Sequence, residues 1–369
     1  MVEYRRPMAR VRLAAARWVI RAEQVIDARL AAFLQHRSGW RLTVLPYVGH
    51  GTATRAHVRA RVVLRRAKPT QRHGRVGTVL SAVAHYLNVD VPGQQVVVEV
   101  AGASTPAVSG REGYVDADLA LPGLAPGWHP LLLRLAGVTA PPVSGRLLVV
   151  DPSARLGVVS DLDDTVIHTG LTRIVEAVRT TLVVSATERV PIPGVARLYR
   201  ALVSTDAGRA PIFYVSTGAW NLHAMLDSFL ARHGFPAGPL ILTDWGPGGT
   251  WLFRERSEAV KVRIVAGLLA EHPHLRWVLV GDSGQDDPQA YAAVARAHPG
   301  RIHAIYIRDV PPQSPLRSAR VRALAAELQS LGVPMLLVSD AVAAARHARG
   351  LGLIDDRHVE LVRAATRDP

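Results

Sequence analysis

The chain has 369 residues, 49% of them hydrophobic, with a formal net charge of +14. That length provides for two domains with substantial cores. There is no cysteine, which excludes disulfides, thiolate metal sites and cysteine nucleophiles and fits a cytoplasmic location. The charge is unevenly spread: residues 1–75 hold 17 Lys+Arg against 3 Asp+Glu, whereas the remainder has 27 of each. A segment so cationic calls for an anionic partner. No uninterrupted apolar run reaches the roughly 18 residues of a spanning helix, and arginines interrupt the first 37 residues too often for a signal peptide.

Residues 1–38 form the first unit. Val11, Ala15, Trp18, Ala22, Val25 and Phe33 recur at helical spacing, which predicts a helix over 8–35 with Arg10, Arg17 and Arg21 on its other faces. A basic amphipathic helix with Trp and Phe can lie on an anionic membrane surface, peripheral to the inner face. The plainer reading docks it on the body, with the arginines in water. Residues 39–152 read as a β-rich domain, with strands over 41–46, 57–64, 95–100, 131–135 and 146–150 between Gly, Pro and Ser turns. The Pro/Gly-rich stretch 92–145 suits a small β-sandwich. Arg65, Arg66, Lys68, Arg72 and Arg75 cluster in a turn-like stretch, read as a solvated loop or, more sharply, a phosphate contact. No nucleic-acid partner is expected, because neither a binding motif nor an aromatic platform accompanies them.

From 153 to 369 the texture changes to short apolar runs alternating with helical patterns, the mark of a parallel α/β sheet. Strands are predicted over 156–160, 211–216, 240–242, 277–281, 302–307 and 335–338. Helices are predicted over 194–204, 222–233, 257–272, 288–298, 315–331 and 340–348.

Chemistry gathers at the ends of these strands. The first runs into Ser160-Asp161-Leu162-Asp163-Asp164-Thr165. Ligands of open α/β sheets sit just past the carboxyl ends of strands, so Asp161 reads as nucleophile or metal ligand and Asp163 as general acid/base. An Asp-rich turn that merely caps a helix is the bland alternative. The strand Ile212-Phe213-Tyr214-Val215 ends at Ser216-Thr217-Gly218, whose hydroxyls and backbone N–H groups can hold a phosphate. A third strand ends at Gly281-Asp282-Ser283-Gly284-Gln285-Asp286-Asp287, an acidic turn with the hard oxygens Mg²⁺ prefers. Lys261 is one of two lysines, with Lys68, among 42 arginines, and precedes that acidic strand. A compact ammonium there can neutralise both a phosphate and a nucleophile. Gly281-Asp282-Ser283-Gly284 superficially matches a serine-protease loop, but it lies between a strand and a helix and lacks the glycines that follow in such enzymes.

The order D-x-D-x-T, strand-Ser, Lys, strand-Gly-Asp resembles the haloacid dehalogenase phosphatase superfamily. Ser160-Asp161-Leu162-Asp163-Asp164-Thr165, Tyr214-Val215-Ser216-x-x-x-Trp220 and Gly281-Asp282-Ser283-Gly284-Gln285-x-Asp287-Pro288 resemble, within it, the phosphatidate phosphatases of the actin-patch-protein type and their bacterial relatives. Pro46-Tyr47-x-Gly49-x-Gly51-Thr52 is similar to that family's amino-terminal domain. Gly218-Ala219 departs from the Ser-Pro often found before the motif's Trp.

The resemblance implies a Rossmann-like parallel-sheet domain without a large cap, since only about 45–50 residues separate successive motifs. It implies Asp161 as nucleophile, Asp163 as acid/base and Thr165 as loop support, with Ser216, Thr217 and Lys261 on the phosphate. Asp161, Asp163, Asp282 and Asp287 would hold Mg²⁺, with Asp286 the alternative to Asp287. The expected activity is Mg²⁺-dependent hydrolysis of a phosphorylated lipid, phosphatidate, through an aspartyl-phosphate. A soluble or protein phosphoester is the rival substrate, and a non-catalytic anionic-lipid-binding module the rival from another class.

Overall fold

The computed structural model describes residues 39–66, 89–163, 165–166, 191–243, 257–310 and 314–367. The helix read over 8–35 lies outside them, as do Lys68, Arg72 and Arg75. Arg65 and Arg66, expected in a turn, are instead the last residues of a strand. Among the described residues no helix is long and apolar enough to cross a membrane.

The β-rich part is one mixed sheet. Its strands are β1 (Trp40–Pro46), β2 (Gly49–Gly51), β3 (Arg55–Arg66), β4 (Val89–Asp90), β5 (Gln95–Val100), β6 (Ala103–Val108), β7 (Tyr114–Ala120), β8 (Gly127–Leu135) and β9 (Val143–Val149). Along the sheet the order is β1-β3-β2-β9-β8-β5-β6, with β4 and β7 also paired to β3. Every pair is antiparallel except β2–β9. On β3, Ala56, Val58, Ala60, Val62 and Leu64 are buried and alternate with Arg55, His57, Arg59 and Arg61. That period of two sends alternate side chains to opposite faces. The inward side chains of β3, β5, β7, β8 and β9 meet in a single apolar core. The outward ones pair across strands: Arg55 with Asp118 at 2.7 Å, Arg59 with Asp116 at 2.9 Å and Arg61 with Asp90 at 2.6 Å. Three arginines of the cationic first fifth therefore already have anionic partners within the fold.

The second part is a six-stranded parallel sheet: β10 (Leu156–Asp161), β11 (Ile212–Ala219), β12 (Leu240–Thr243), β13 (Arg276–Asp282), β14 (Ile302–Arg308) and β15 (Met335–Val338). The order is β12-β11-β10-β13-β14-β15. Seven helices of two turns or more accompany it among the described residues: α1 (Val195–Val203), α2 (His223–Arg232), α3 (Ser257–Glu271), α4 (Asp287–Ala297), α5 (Pro315–Gln329), α6 (Ala341–Gly350) and α7 (Asp356–Arg367). Val158, Tyr214, Val280 and Tyr306 pack on one face with α1, α2, α6 and α7. Val159, Phe213, Leu279 and Ile305 pack on the other with α3, α4 and α5. With helices on both faces, β10 is buried at all six positions, which is why it reads as a continuous apolar run.

The two sheets meet along an aromatic seam. Tyr47, just after β1, stacks on Trp220 with ring centres 4.6 Å apart and lies 4.5 Å from His223. The Arg59 guanidinium also lies over the Trp220 ring, 5.2 Å from its centre. Such ring contacts add about 0.5–1.5 kcal/mol each beyond area burial. Gly51 permits the turn after β2, because a Cβ there would run into the Arg55 carbonyl.

Candidate active site

Chain direction fixes where the site lies. From β10 the chain steps outward through β11 and β12, then returns to the opposite side of β10 with β13, β14 and β15. Ligands bind where strand order reverses in this way, outside the carboxyl ends of the two strands that flank the break. Those strands are β10 and β13, and their final residues are Asp161 and Asp282.

Asp161, Asp282 and Asp287 are buried together, each offering a carboxylate oxygen within 4.8 Å of the others. Lys261, from the second turn of α3, is 1% exposed. Its Nζ donates to Asp161 Oδ1 at 2.7 Å and to Asp287 Oδ1. Asp287 Oδ2 in turn accepts from the Asp282 backbone N–H at 3.1 Å. Gly281 makes this closeness possible: a Cβ there would come within 2.6 Å of Asp287 Oδ2. Asp282 Oδ1 accepts from the N–H groups of Gly284 at 2.5 Å and Gln285 at 3.1 Å, which fixes the turn into α4. Asp286 is exposed, whereas Asp287 is buried with Asp161 and Asp282, so Asp287 is the residue of the acidic turn that the fold brings in.

Electrostatically the cluster is unbalanced. Burial, and then the charges of Asp287 and Asp282, push the Asp161 carboxyl well above its usual range, against the pull of Lys261. Burial also works against the Lys261 ammonium, but Asp161 and Asp287 outweigh it and hold its pKa above the ordinary lysine value. One ammonium among three carboxylates leaves an excess of buried negative charge that calls for a cation. The donors present fit a hard divalent ion: all are carboxylate oxygens, and Asp161 Oδ2 is buried with no hydrogen-bond partner among the described residues.

The second motif reaches the same place. Ser216, buried near the end of β11, donates from Oγ to Asp163 Oδ2 at 3.0 Å and accepts from the Gly218 N–H at 2.9 Å. The hydroxyl expected on a phosphate thus orients Asp163 in this state. Thr217 lies half-buried beside it, and Thr165 Oγ1 is buried without a partner among the described residues. Ser160 and Tyr199 were not foreseen. Ser160 Oγ donates to the Asp161 carbonyl at 2.6 Å and lies 2.6 Å from the Tyr199 hydroxyl on α1. The signal available in the sequence was a serine inside an otherwise apolar buried strand, which needs a partner.

A parallel α/β unit with a carboxylate–lysine centre at its switch point is the class of protein that these features define. Residues 156–309 match the family described as phosphatidate phosphatase APP1, catalytic domain. Phosphatidate phosphatase APP1 of Saccharomyces cerevisiae is 31% identical over 153 residues, covering 42% of this chain and 26% of that protein. An uncharacterized protein of Schizosaccharomyces pombe is 28% identical over 155 residues, covering 42% and 25%. The chain thus spans about a quarter of the length of these curated relatives. Among solved structures, a carbohydrate acetylesterase from Xanthomonas citri aligns over 88% of this chain and 74% of its own, at 9% identity and a TM-score of 0.28, too low for any inference of fold or chemistry.

Proposed function

We propose that the chain is a Mg²⁺-dependent phosphomonoester hydrolase of the haloacid dehalogenase type that converts phosphatidate to diacylglycerol and phosphate. The observation that carries this reading is the buried Lys261 contacting both Asp161 and Asp287 where the strand order reverses. The family match over the same segment supports it.

Asp161 and Asp282 would hold Mg²⁺, with Asp163 contributing its backbone carbonyl; Asp287, bound through both oxygens to Lys261 and the Asp282 N–H, instead positions the lysine. Bound there, the metal would offset the repulsion between Asp161 and a phosphate dianion. Asp161 attacks phosphorus in line with the leaving oxygen, and the P–O bond to the lipid alcohol breaks as an aspartyl-phosphate forms. Asp163, oriented by Ser216, gives its proton to the departing alkoxide. It then takes a proton from the water that attacks the aspartyl-phosphate, releasing phosphate and regenerating Asp161. Lys261 holds developing charge on the equatorial oxygens. Thr165 supports the loop that carries Asp163.

The cationic residues 1–38 suit a cytoplasmic enzyme that docks peripherally on anionic lipid, where its substrate lies. Phosphate release from phosphatidate vesicles, an inositol phosphate and a phosphopeptide, each with and without Mg²⁺, tests the reading. Mg²⁺-dependent release from phosphatidate is the expected result. Release from the phosphopeptide alone would move the assignment to a protein phosphatase, and no release from any would leave an anionic-lipid-binding module.

A further inference from the structure

A second cluster of ligating side chains lies away from the acidic centre, in the seam between the two sheets. His50 is the middle residue of β2, whereas Glu271 ends α3 and His272 follows it. Their ligating atoms all lie within 4.8 Å of one another. His50 Nδ1 is 3.2 Å from Glu271 Oε2, and His272 Nε2 is 3.9 Å from the same oxygen. From these distances we propose that His50, Glu271 and His272 form a binding site for a zinc-class divalent metal ion, which clamps β2 to the carboxyl end of the helix that carries Lys261.

Three independent observations point there. His272 is 0% exposed, and neither of its ring nitrogens has a hydrogen-bond partner among the described residues. The rings around it are Phe213 at 5.9 Å, His274 at 6.2 Å and Trp277 at 6.4 Å between centres. A buried polar group left unsatisfied destabilises the fold, and a metal bond relieves that cost. The spacing also fits the ion. Zinc holds histidine and carboxylate ligands at about 2.0–2.1 Å in a tetrahedron, which sets neighbouring ligand atoms roughly 3.3 Å apart. The His50–Glu271 edge already has that length, and the Glu271–His272 edge exceeds it by roughly half an ångström. The third observation is placement. The carboxyl end of a helix carries a partial negative charge, so α3 favours a cation at this end.

The donor set separates this site from the acidic one. Two imidazoles and a carboxylate select zinc-class metals, while the all-oxygen set built on Asp161 and Asp282 selects magnesium. Glu271 keeps a side chain 26% exposed, which leaves the fourth position open to water and gives the ion a way in. Lys261 lies ten residues earlier on the same helix, about 15 Å along its axis. A metal at the far end would fix the helix that delivers it without touching the reacting groups.

The test uses the full chain, stripped of metal by a chelator and then saturated with Mg²⁺ so that the acidic site is filled. Zn²⁺ binding is followed by competition with a chromophoric chelator, and Co²⁺ substitution by visible absorption. One equivalent should bind, and the Co²⁺ adduct should show the intense bands of a tetrahedral site, which an oxygen-only octahedral site lacks. Glu271→Gln and His50→Gln should each weaken Zn²⁺ binding by more than the roughly 10–100-fold that loss of an outer-shell partner costs. Asp161→Asn should leave it unchanged. Circular dichroism confirms that the variants fold; should one not fold, the wild-type Co²⁺ spectrum decides alone. Stoichiometric binding lost in Asp161→Asn but kept in Glu271→Gln would overturn the proposal, as would weak octahedral bands in the wild type. These readouts do not involve phosphate release, so they stand or fall separately from the proposed activity.

Discussion

Lys261 and Asp161 stand 2.7 Å apart, each 1% exposed, although a hundred residues of chain separate them. Their contact, completed by Asp287, sets the charge balance on which the proposed chemistry depends.

Asp161→Asn should abolish phosphate release, since an amide is a poor nucleophile. The same substitution should steady the metal-free protein. An acid whose pKa is raised by folding keeps its proton in the folded state while the unfolded chain releases it. Stability is then lost as pH rises above 3.8, the ordinary value, toward the raised one. Thermal melts in chelator across that window should show the wild type losing stability with rising pH and Asp161→Asn losing less. Parallel curves would mean that Asp161 carries no such penalty.

Lys261→Arg keeps the charge and should still fail. A planar guanidinium cannot put one donor between Asp161 and Asp287 in a site this closed. Loss of an oriented donor costs about 100- to 1000-fold in turnover. Steady-state kinetics should show the loss in kcat, with Lys68→Arg as the silent comparison. Equal tolerance at both positions removes Lys261 from the site.

His223 makes the aromatic seam sensitive to acid. Burial lowers its pKa from 6.5 to about 3, so between those values the unfolded chain binds a proton that the folded one does not. Stability should therefore fall as pH drops from 6.5 toward 3, by on the order of 3–5 kcal/mol when fully developed. Urea midpoints of His223→Gln should fall less steeply over that range. His272, lowered to about 4 by burial, adds a smaller slope that the substitution leaves in place.

Removing residues 1–38 should weaken binding to anionic vesicles, each lost basic residue being worth about 1 kcal/mol at the surface. Turnover on membrane-embedded phosphatidate should fall, while hydrolysis of a small soluble phosphoester continues. Co-sedimentation at low and high salt reads the electrostatic share. Full-length protein that stays in the supernatant at low salt would assign these arginines to a solvated face.

The residues that were legible in the sequence are those whose environment is uniform along the chain. β10, β13 and β15 are short apolar runs because helices cover both faces of their sheet. By contrast, β7 alternates Val115, Ala117 and Leu119 with Asp116 and Asp118, and aspartate argues against a strand. Its partners are Arg55, His57 and Arg59 on β3, which the segment itself does not reveal. α7 buries Val359 and Val362 beneath a polar surface too charged to read as a core helix. Within the site, D-x-D and the rare lysine could be read from residue type and order. The Ser160–Tyr199 hydrogen bond and the Tyr47–Trp220 stack could not, because tertiary packing alone creates them.

Tyr47 also bears on how the molecule can be divided. The family match runs from 156 to 309, yet β15 completes the sheet from beyond that limit, and Val338, Ala341 and Val362 fill the core beneath it. A fragment cut at the family's borders would leave β14 as a bare edge open to intermolecular pairing. It would also uncover Trp220, which Tyr47 and Arg59 shield in the full chain. The stretch that carries the chemistry is therefore shorter than the stretch that can be expressed without clumping, and soluble preparations should retain residues 39–367 as one piece.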